Sequence, residues 1–218
     1  MYLGVGCNGW AKMQQRIKLI ISDFDGTILD SSNVWQEVYC KFCKVENLPY
    51  SEKVLSFNNY NDWIDEIIYT YKLTSKANFQ KTFNKIAVEV YCQISPRNGF
   101  IEFISNLYDL NIPFFIVSRE NTSLLKLWLQ NFKITKITDV FNVDSAKRSN
   151  SHYYKYIAEK YNLKTEEMVV IDDSLKHCIA AKNAGTFVVG FNDNHSVKRQ
   201  TEMKNITDLY INNFIPLI

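Results

Sequence analysis

The sequence contains no apolar stretch close to the roughly 20 residues that a membrane-spanning helix requires. Its charge is almost balanced, with 25 basic and 23 acidic side chains and a net charge of +2. This balance gives no reason to expect binding to nucleic acid or to an acidic membrane surface. The amino-terminal residues lack the charged start and long apolar core of a signal peptide, so we expect a cytoplasmic protein.

Cysteine and histidine are scarce, with five and three residues respectively. An odd number of cysteines without regular spacing predicts reduced thiols rather than a disulfide framework. Cys40 and Cys43 form a C-x-x-C pair, but a zinc site would need a second pair or nearby histidines, so we interpret the pair as one face of a helix. Gly4, Gly6 and Gly9 have the G-x-G-x-x-G spacing. The absence of a predicted strand before them argues against a dinucleotide site.

The chain has no internal repeat or low-complexity segment, and five short apolar runs have the length and composition of buried parallel strands. Helical patterns, with apolar residues at three- and four-residue steps, separate these runs. Strands that alternate with helices predict an α/β fold, a Rossmann-like doubly wound parallel sheet with helices on both faces. The predicted strands are residues 17–22, 112–118, 137–142, 167–172 and 186–191.

A long helical block, residues 31–95, separates the first two predicted strands. We interpret it as an inserted helical domain, because it interrupts the alternation of strands and helices after the first strand. An insertion at the carboxyl end of a strand lies over the binding crevice of such folds. Residues 17–30 and 96–218 then form the core domain, and its carboxyl-terminal segment is expected to pack on the sheet. Residues 1–16 are predicted to be a loose tail.

Polar side chains collect at the carboxyl ends of the predicted strands, where the crevice chemistry of open α/β sheets takes place. They are two carboxylate pairs, one hydroxyl and one amine. Carboxylates with few histidines favour a hard, oxygen-seeking cation, of which Mg²⁺ is the usual one. Mg²⁺ together with an amine and a hydroxyl suits a phosphate dianion. In chain order these residues are Asp23, Asp25, Ser118, Lys147, Asp172 and Asp173.

In this order the segments resemble the four motifs of the haloacid dehalogenase-like superfamily of phosphohydrolases. "DFDGT" (23–27) matches the first motif and "FFIVS" (114–118) the second. Lys147, with Tyr153 as the aromatic residue six positions later, matches the third, and "VVIDDSLKHCIAAKNAG" (169–185) matches the fourth. The resemblance covers about residues 17–191, and the helical block resembles the C1-type cap of the phosphoglycolate phosphatase-like branch.

The resemblance implies a Mg²⁺-dependent phosphatase that hydrolyses a small phosphomonoester through an aspartyl-phosphate. Asp23 would attack phosphorus, and Asp25 would protonate the leaving alcohol and then deprotonate water. The implied phosphate-binding residues are Ser118, Lys147, Gly26 and Thr27. The implied Mg²⁺ ligands are Asp23, Asp25 through its backbone carbonyl, Asp173 and the adjacent Asp172.

Some positions depart from the family's pattern. His177 stands where many relatives carry a second acidic residue of the fourth motif, and Arg148 stands where proline usually follows the lysine. Arg148 could replace or support Lys147, and Arg119 could touch the substrate. Two other functions stay open, a phosphomutase of the same superfamily and a catalytically silent protein that keeps the fold for binding or regulation. The expected partner is a phosphorylated small molecule, with neither nucleic acid nor a membrane.

Overall fold

The computed structural model describes residues 6–31, 33–51, 60–72, 76–192 and 197–218. The chain divides into two compact units, one formed by the residues up to Asp30 together with Ser95–Ile218 and the other by Ser31–Ile94. The first unit contains a β-sheet with helices, and the described part of the second is helical. None of the helices in the described ranges is long and apolar enough to cross a membrane.

Six parallel strands form the sheet of the first unit. They are β1 (Leu19–Ser22), β2 (Phe114–Ser118), β3 (Asp139–Asn142), β4 (Met168–Asp172), β5 (Phe187–Phe191) and β6 (Leu209–Ile211). Their order across the sheet is β3-β2-β1-β4-β5-β6, the doubly wound order in which the strand sequence reverses beside β1. This order confirms the predicted fold class.

Burial along the strands follows from their composition. Every residue of β1, β2 and β4 is buried, as expected for isoleucine-, valine- and phenylalanine-rich strands covered on both faces. At the carboxyl end of β1, Ser22 is paired with Ile116 of β2 and Ile171 of β4. The predicted packing of the carboxyl-terminal segment takes the form of a sixth strand, in which Leu209 is paired with Val189 of β5.

The first unit contains helices as well as this sheet, and the described part of the second unit contains three helices. The helices are α1 (Gly6–Gln14), α2 (Val34–Val45), α3 (Tyr60–Tyr71), α4 (Lys76–Tyr91), α5 (Phe100–Asp109), α6 (Thr122–Asn131), α7 (Ser145–Arg148), α8 (Ser151–Lys160), α9 (Leu175–Ala184) and α10 (Val197–Ile206). Within the second unit, the ring of Phe83 packs against Trp35 and Phe42. The cysteines of the C-x-x-C pair lie on α2 as free thiols, and burial raises the pKa of Cys43.

The amino-terminal segment differs from the loose tail predicted for residues 1–16, because Gly6–Gln14 form helix α1. Trp10 is 5% exposed, and its indole nitrogen donates a hydrogen bond to the backbone oxygen of Leu217 at 3.3 Å. These two residues are 207 positions apart, so the contact that holds α1 has no local sequence signal. Gly9 therefore lies in a packed helix rather than in a loop after a strand, and Gly4 lies outside the described residues.

Candidate active site

The carboxyl ends of the central strands bring three of the predicted site residues together. Asp23 directly follows β1, Ser118 ends β2 and Asp172 ends β4. These side chains are buried, and the backbone nitrogen of Asp23 donates to the oxygen of Ile171 at 2.9 Å. The chain at Asp23 is therefore still held by the sheet, which fixes the direction of its carboxylate.

Three carboxylates face one another at this edge. Oxygen atoms of Asp23, Asp172 and Asp173 lie within 4.8 Å of one another. Carboxylates this close repel one another unless a cation or proton lies among them. Oxygen-only ligands in such a group suit a hard divalent cation. Among the described residues, this group does not include the side chain of Asp25, which is half-buried and follows Asp23 by two residues in the sequence.

The turn after β1 holds Asp173 in place. Gly26 has a φ of +79°, and a Cβ atom there would lie 2.5 Å from Oδ2 of Asp173, so this approach requires glycine. The hydroxyl of Thr27 is 3.3 Å from Oδ1 of Asp173 and donates to it. Arg97, which sequence reasoning did not single out, donates from Nη2 to the backbone oxygen of Gly26 at 3.1 Å. Gly26 and Thr27 thus contact a carboxylate of the cluster.

Arg148 is the cation that the structure brings to the carboxylates. Its Nη1 atom lies 2.5 Å from Oδ1 of Asp23 and 3.3 Å from Oδ2 of Asp172. Arg148 is 3% exposed, whereas the adjacent Lys147 is exposed to solvent. Both lie on the short helix α7, whose first turn is capped by the Asp144 carboxylate. Lys147 is therefore not brought together with the other predicted residues.

The protonation of the cluster depends on burial and on this arginine. Burial raises the pKa of Asp23 most, the Arg148 guanidinium lowers it, and the charge of Asp172 raises it again, with a result of about 6. Burial alone lowers the pKa of Arg148, but the carboxylates of Asp23 and Asp172 reverse this effect and raise it. Asp23 is therefore mainly ionised at neutral pH, beside a permanent positive charge.

Asp172 is held from a second direction by α9. Its Oδ1 atom accepts a hydrogen bond from the backbone nitrogen of Ser174 at 2.8 Å. Nδ1 of His177 lies 3.1 Å from each carboxylate oxygen of Asp172. His177 is 4% exposed, so the residue that departs from the family's pattern joins the site through Asp172.

The loop after β2 adds a carboxyl group that sequence reasoning missed. Burial, followed by the charge of Asp25, raises the pKa of Glu120 to about 8. The backbone nitrogen of Glu120 donates to Oγ of Ser118 at 3.0 Å, and Asn142 donates to the backbone oxygen of Glu120 at 2.8 Å. The loop is therefore tied to β2 and β3, while the neighbouring Arg119 is exposed. No motif in the sequence marks Glu120.

Comparisons with known proteins point to one enzyme family. The family model of haloacid dehalogenase-like hydrolases matches residues 20–191. A phosphoglycolate phosphatase of Vibrio parahaemolyticus is 25% identical over 201 residues, which cover 84% of this chain and 87% of that protein. The validoxylamine A 7'-phosphate phosphatase of Streptomyces hygroscopicus subsp. limoneus is 19% identical over 203 residues, which cover 88% of this chain and 95% of that protein.

The fold is shared with solved structures. A candidate beta-phosphoglucomutase from Thermotoga maritima has a TM-score of 0.74 at 19% identity, with 92% of this chain and 97% of that chain covered. The family match spans most of the 218 residues and includes every segment that resembles a motif. It confirms the family predicted from those segments and the prediction that the chain is an enzyme. The chain belongs to the haloacid dehalogenase-like hydrolase family.

Proposed function

We propose that this hydrolase is a Mg²⁺-dependent phosphatase of a small phosphomonoester. The observation that carries the proposal is the buried contact between the carboxylate of Asp23 and the guanidinium of Arg148, at the edge where Asp173 also lies. A carboxylate nucleophile beside a fixed positive charge suits attack on a phosphate dianion. Both sequence relatives described above are phosphatases, which supports the predicted class of phosphoric monoester hydrolase.

The first step transfers the phosphoryl group to the enzyme. A carboxylate oxygen of Asp23 attacks phosphorus while the bond from phosphorus to the ester oxygen breaks. Asp25 donates its proton to the departing oxygen, so that the product leaves as a neutral alcohol. Arg148 offsets the negative charge that gathers on the phosphoryl oxygens, and the hydroxyl of Ser118 donates to one of them.

The second step returns the enzyme to its starting state. Asp25, now ionised, accepts a proton from water as the water oxygen attacks phosphorus. The bond between phosphorus and Asp23 breaks, inorganic phosphate leaves, and Asp23 is a free carboxylate again. Asp25 is then protonated and ready for the next substrate.

The carboxylate cluster fits the proposed metal ion. Its donors are all oxygen atoms, and the glycine turn lets Asp173 approach closely. We propose that the side chains of Asp23 and Asp173, with the backbone oxygen of Asp25, hold the ion. Asp172 already accepts hydrogen bonds from Arg148, His177 and Ser174, so we assign it to anchoring Arg148. A bound Mg²⁺ would neutralise charge on the phosphoryl group and so reduce its repulsion of Asp23.

The unit Ser31–Ile94 is proposed to be the cap that selects the substrate, as the resemblance of the helical block implies. Two of its described helices, α2 and α4, pack against each other through aromatic side chains, which gives it a core of its own. A cytoplasmic location is proposed with it. The described cysteines are free thiols, and stable disulfides are rare in the cytosol.

The proposal is tested by measuring inorganic phosphate release from a panel of sugar phosphates, nucleotides, pyrophosphate and phosphoglycolate, with Mg²⁺ and with EDTA. Asp23→Asn should lose turnover, because the amide is a poor nucleophile. Asp109→Asn is the matched control, because Asp109 is exposed at the end of α5, which leads to the opposite edge of the sheet. Substrate conversion without phosphate release would indicate a phosphomutase, and no conversion of any compound would favour a silent site.

A further inference from the structure

The hydrogen bonds around His177 form a closed ring with helix α7. Nε2 of His177 lies 2.9 Å from Oγ of Ser145, the first residue of α7. Nδ1 lies 3.1 Å from the carboxylate of Asp172, which in turn lies 3.3 Å from Nη1 of Arg148, the last residue of α7. Ser145 and Arg148 are three residues apart and share one side of the helix. His177 and Asp172 thus bridge the two ends of α7.

The ring fixes the tautomer of the histidine. A carboxylate only accepts hydrogen bonds, so Nδ1 of His177 carries the proton that is donated to Asp172. In the neutral imidazole, Nε2 then accepts the hydroxyl proton of Ser145. Every ring nitrogen has a partner, and each partner belongs to a different element of the fold. The circle of hydrogen bonds through His177, Asp172, Arg148 and Ser145 therefore has one arrangement, in which the direction of each hydrogen bond is defined.

Arg148 needs this support because its own hydrogen bonds hold it at one atom. Nη1 is shared among Asp23, Asp172 and the backbone oxygen of Val117. Within the part of the chain that the structure describes, Nε of Arg148 is buried without a hydrogen-bond partner. Because these contacts all meet at Nη1, the position of the guanidinium depends on the carboxylate of Asp172 and on the position of α7.

We propose that His177 is a positioning residue that, through Asp172 and Ser145, holds α7 and sets the Arg148 guanidinium against Asp23. This inference rests on the proposed function, in which Arg148 acts on the phosphoryl group. It gives a role to the position at which the family resemblance implies an acidic residue. A carboxylate at that position could not donate a hydrogen bond to Asp172, whereas the histidine does.

The test compares His177→Ala with the conservative His177→Asn, in which the side-chain amide can donate to Asp172 as Nδ1 does. His152→Ala is the control for loss of a histidine, because His152 is exposed and bonds only to Asn150 in the described contacts. The first readout is the Nε–H signal of Arg148 in a ¹⁵N–¹H spectrum of the metal-free chain, assigned by its absence in Arg148→Lys. The second is kcat and KM with the best substrate of the panel in saturating Mg²⁺.

In His177→Ala the Arg148 signal should shift and exchange rapidly with water, and kcat should fall about tenfold while KM changes much less. His177→Asn should restore the signal and most of kcat, and Ser145→Ala should show a smaller change in the same direction as His177→Ala. An unchanged Arg148 signal and kcat in His177→Ala would overturn the proposal and leave the histidine as a packing residue. Should His177→Ala fail to fold, His177→Asn and Ser145→Ala decide by the same readouts.

The two readouts separate this proposal from the proposed function. Absence of turnover in the unmodified chain would refute the phosphatase but leave the ¹⁵N–¹H comparison able to confirm or overturn the positioning role. Normal turnover with an Arg148 signal that is insensitive to His177 would support the phosphatase and overturn the positioning role of His177.

Discussion

The guanidinium of Arg148 and the carboxylate of Asp23 form an ion pair of 2.5 Å in which both side chains are almost fully buried. Burial of either charge alone would carry a large desolvation penalty, which the partner offsets in part. The same nitrogen of Arg148 lies 3.3 Å from Asp172, so one cation joins carboxylates from the ends of β1 and β4. The proposed nucleophile is therefore paired before substrate arrives, and an incoming phosphoryl group must share this cation.

Divalent metal binding should weaken as the pH falls below about 6, the value to which burial raises the pKa of Asp23. The metal binds the ionised carboxylate, and a proton competes with it once the pH passes below this pKa. Well below the pKa, the apparent affinity should fall by up to about tenfold per pH unit. Isothermal titration calorimetry with Mg²⁺ or Mn²⁺ between pH 5 and pH 8 measures this dependence.

Asp23→Asn provides the control for that titration. The variant should bind the metal more weakly at every pH, but its affinity should change less between pH 5 and pH 7, because the titrating group is gone. An affinity in the unmodified chain that stays constant from pH 7 to pH 5 would contradict the assignment of Asp23 as a ligand with a raised pKa.

The fold and three of the motif segments could be predicted because their signals are local. Buried parallel strands require unbroken apolar runs, and Asp23, Ser118 and Asp172 stand at the ends of such runs. Contacts between distant segments have no such signal. Helix α1 depends on the burial of Trp10 beside Leu217, and the approach of Gly26 to Asp173 joins residues that only the fold brings together.

The third segment shows why neighbouring residues are hard to distinguish in sequence. Lys147 and Arg148 are adjacent cations on a helix of four residues, which is too short for an apolar periodicity to show which side faces inward. The aromatic residue six positions later does not distinguish them in sequence either, because Lys147 and Arg148 are followed at that spacing by Tyr153 and Tyr154. Only the structure separates the two pairs, since Tyr154 is 1% exposed and Tyr153 is half-buried.

Gly26→Ala should lower both the stability of the chain and its affinity for the metal. A side chain at a φ of +79° costs about 1–2 kcal/mol in the free energy of unfolding. The added Cβ would also displace Oδ2 of Asp173, which lies 2.5 Å from its position. Urea unfolding and calorimetric metal titration measure the two effects.

Gly185→Ala is the matched control for Gly26→Ala. Gly185 also has a positive φ, of +91°, but it ends α9, where the nearest atom to an added Cβ is Oγ1 of Thr165 at 3.1 Å. This variant should lose a similar amount of stability and keep its metal affinity. Equal metal affinity in both variants would show that Gly26 serves the turn alone and does not make room for Asp173.

Trp128→Ala should destabilise the core and disturb the first motif. Trp128 is fully buried, and its ring packs edge-to-face against the ring of Phe24, with 5.1 Å between the ring centroids. Phe24 is the residue between Asp23 and Asp25. Removal of a buried tryptophan leaves a cavity and costs about 3–5 kcal/mol in the free energy of unfolding. Leu127→Ala on the same helix is the control, because Leu127 is 44% exposed and its loss should cost far less.

The measurement for this pair is urea unfolding, followed by kcat under conditions in which both variants are folded. Trp128→Ala should lower kcat as well, because Phe24 can then move and take the two aspartates with it. A destabilised Trp128→Ala variant with unchanged kcat would mean that the backbone around Phe24 is fixed by the sheet alone.

Single substitutions of Arg148 and Lys147 can show which of these two adjacent cations binds the phosphoryl group. Arg148→Ala should lower kcat/KM by about 100-fold or more, because it removes the buried positive charge beside Asp23. Arg148→Lys keeps the charge, but the lysine side chain is shorter and lacks the planar guanidinium whose Nη1 atom reaches both carboxylates, so it should show an intermediate loss of about tenfold. Lys147→Ala should have little effect, because the exposed side chain of Lys147 is surrounded by solvent.

Stability must be followed in the same variants, because Arg148→Ala leaves two buried carboxylates without their cation, at a cost of about 3–5 kcal/mol. Activity per folded molecule is therefore the quantity to compare. A large loss in Lys147→Ala with activity retained in Arg148→Ala would restore the lysine as the phosphate-binding cation and reduce Arg148 to a structural ion pair. A large loss confined to Arg148 variants would mean that this chain performs with a guanidinium what the family resemblance assigns to an amine, and that its phosphate contact is directional rather than a point charge.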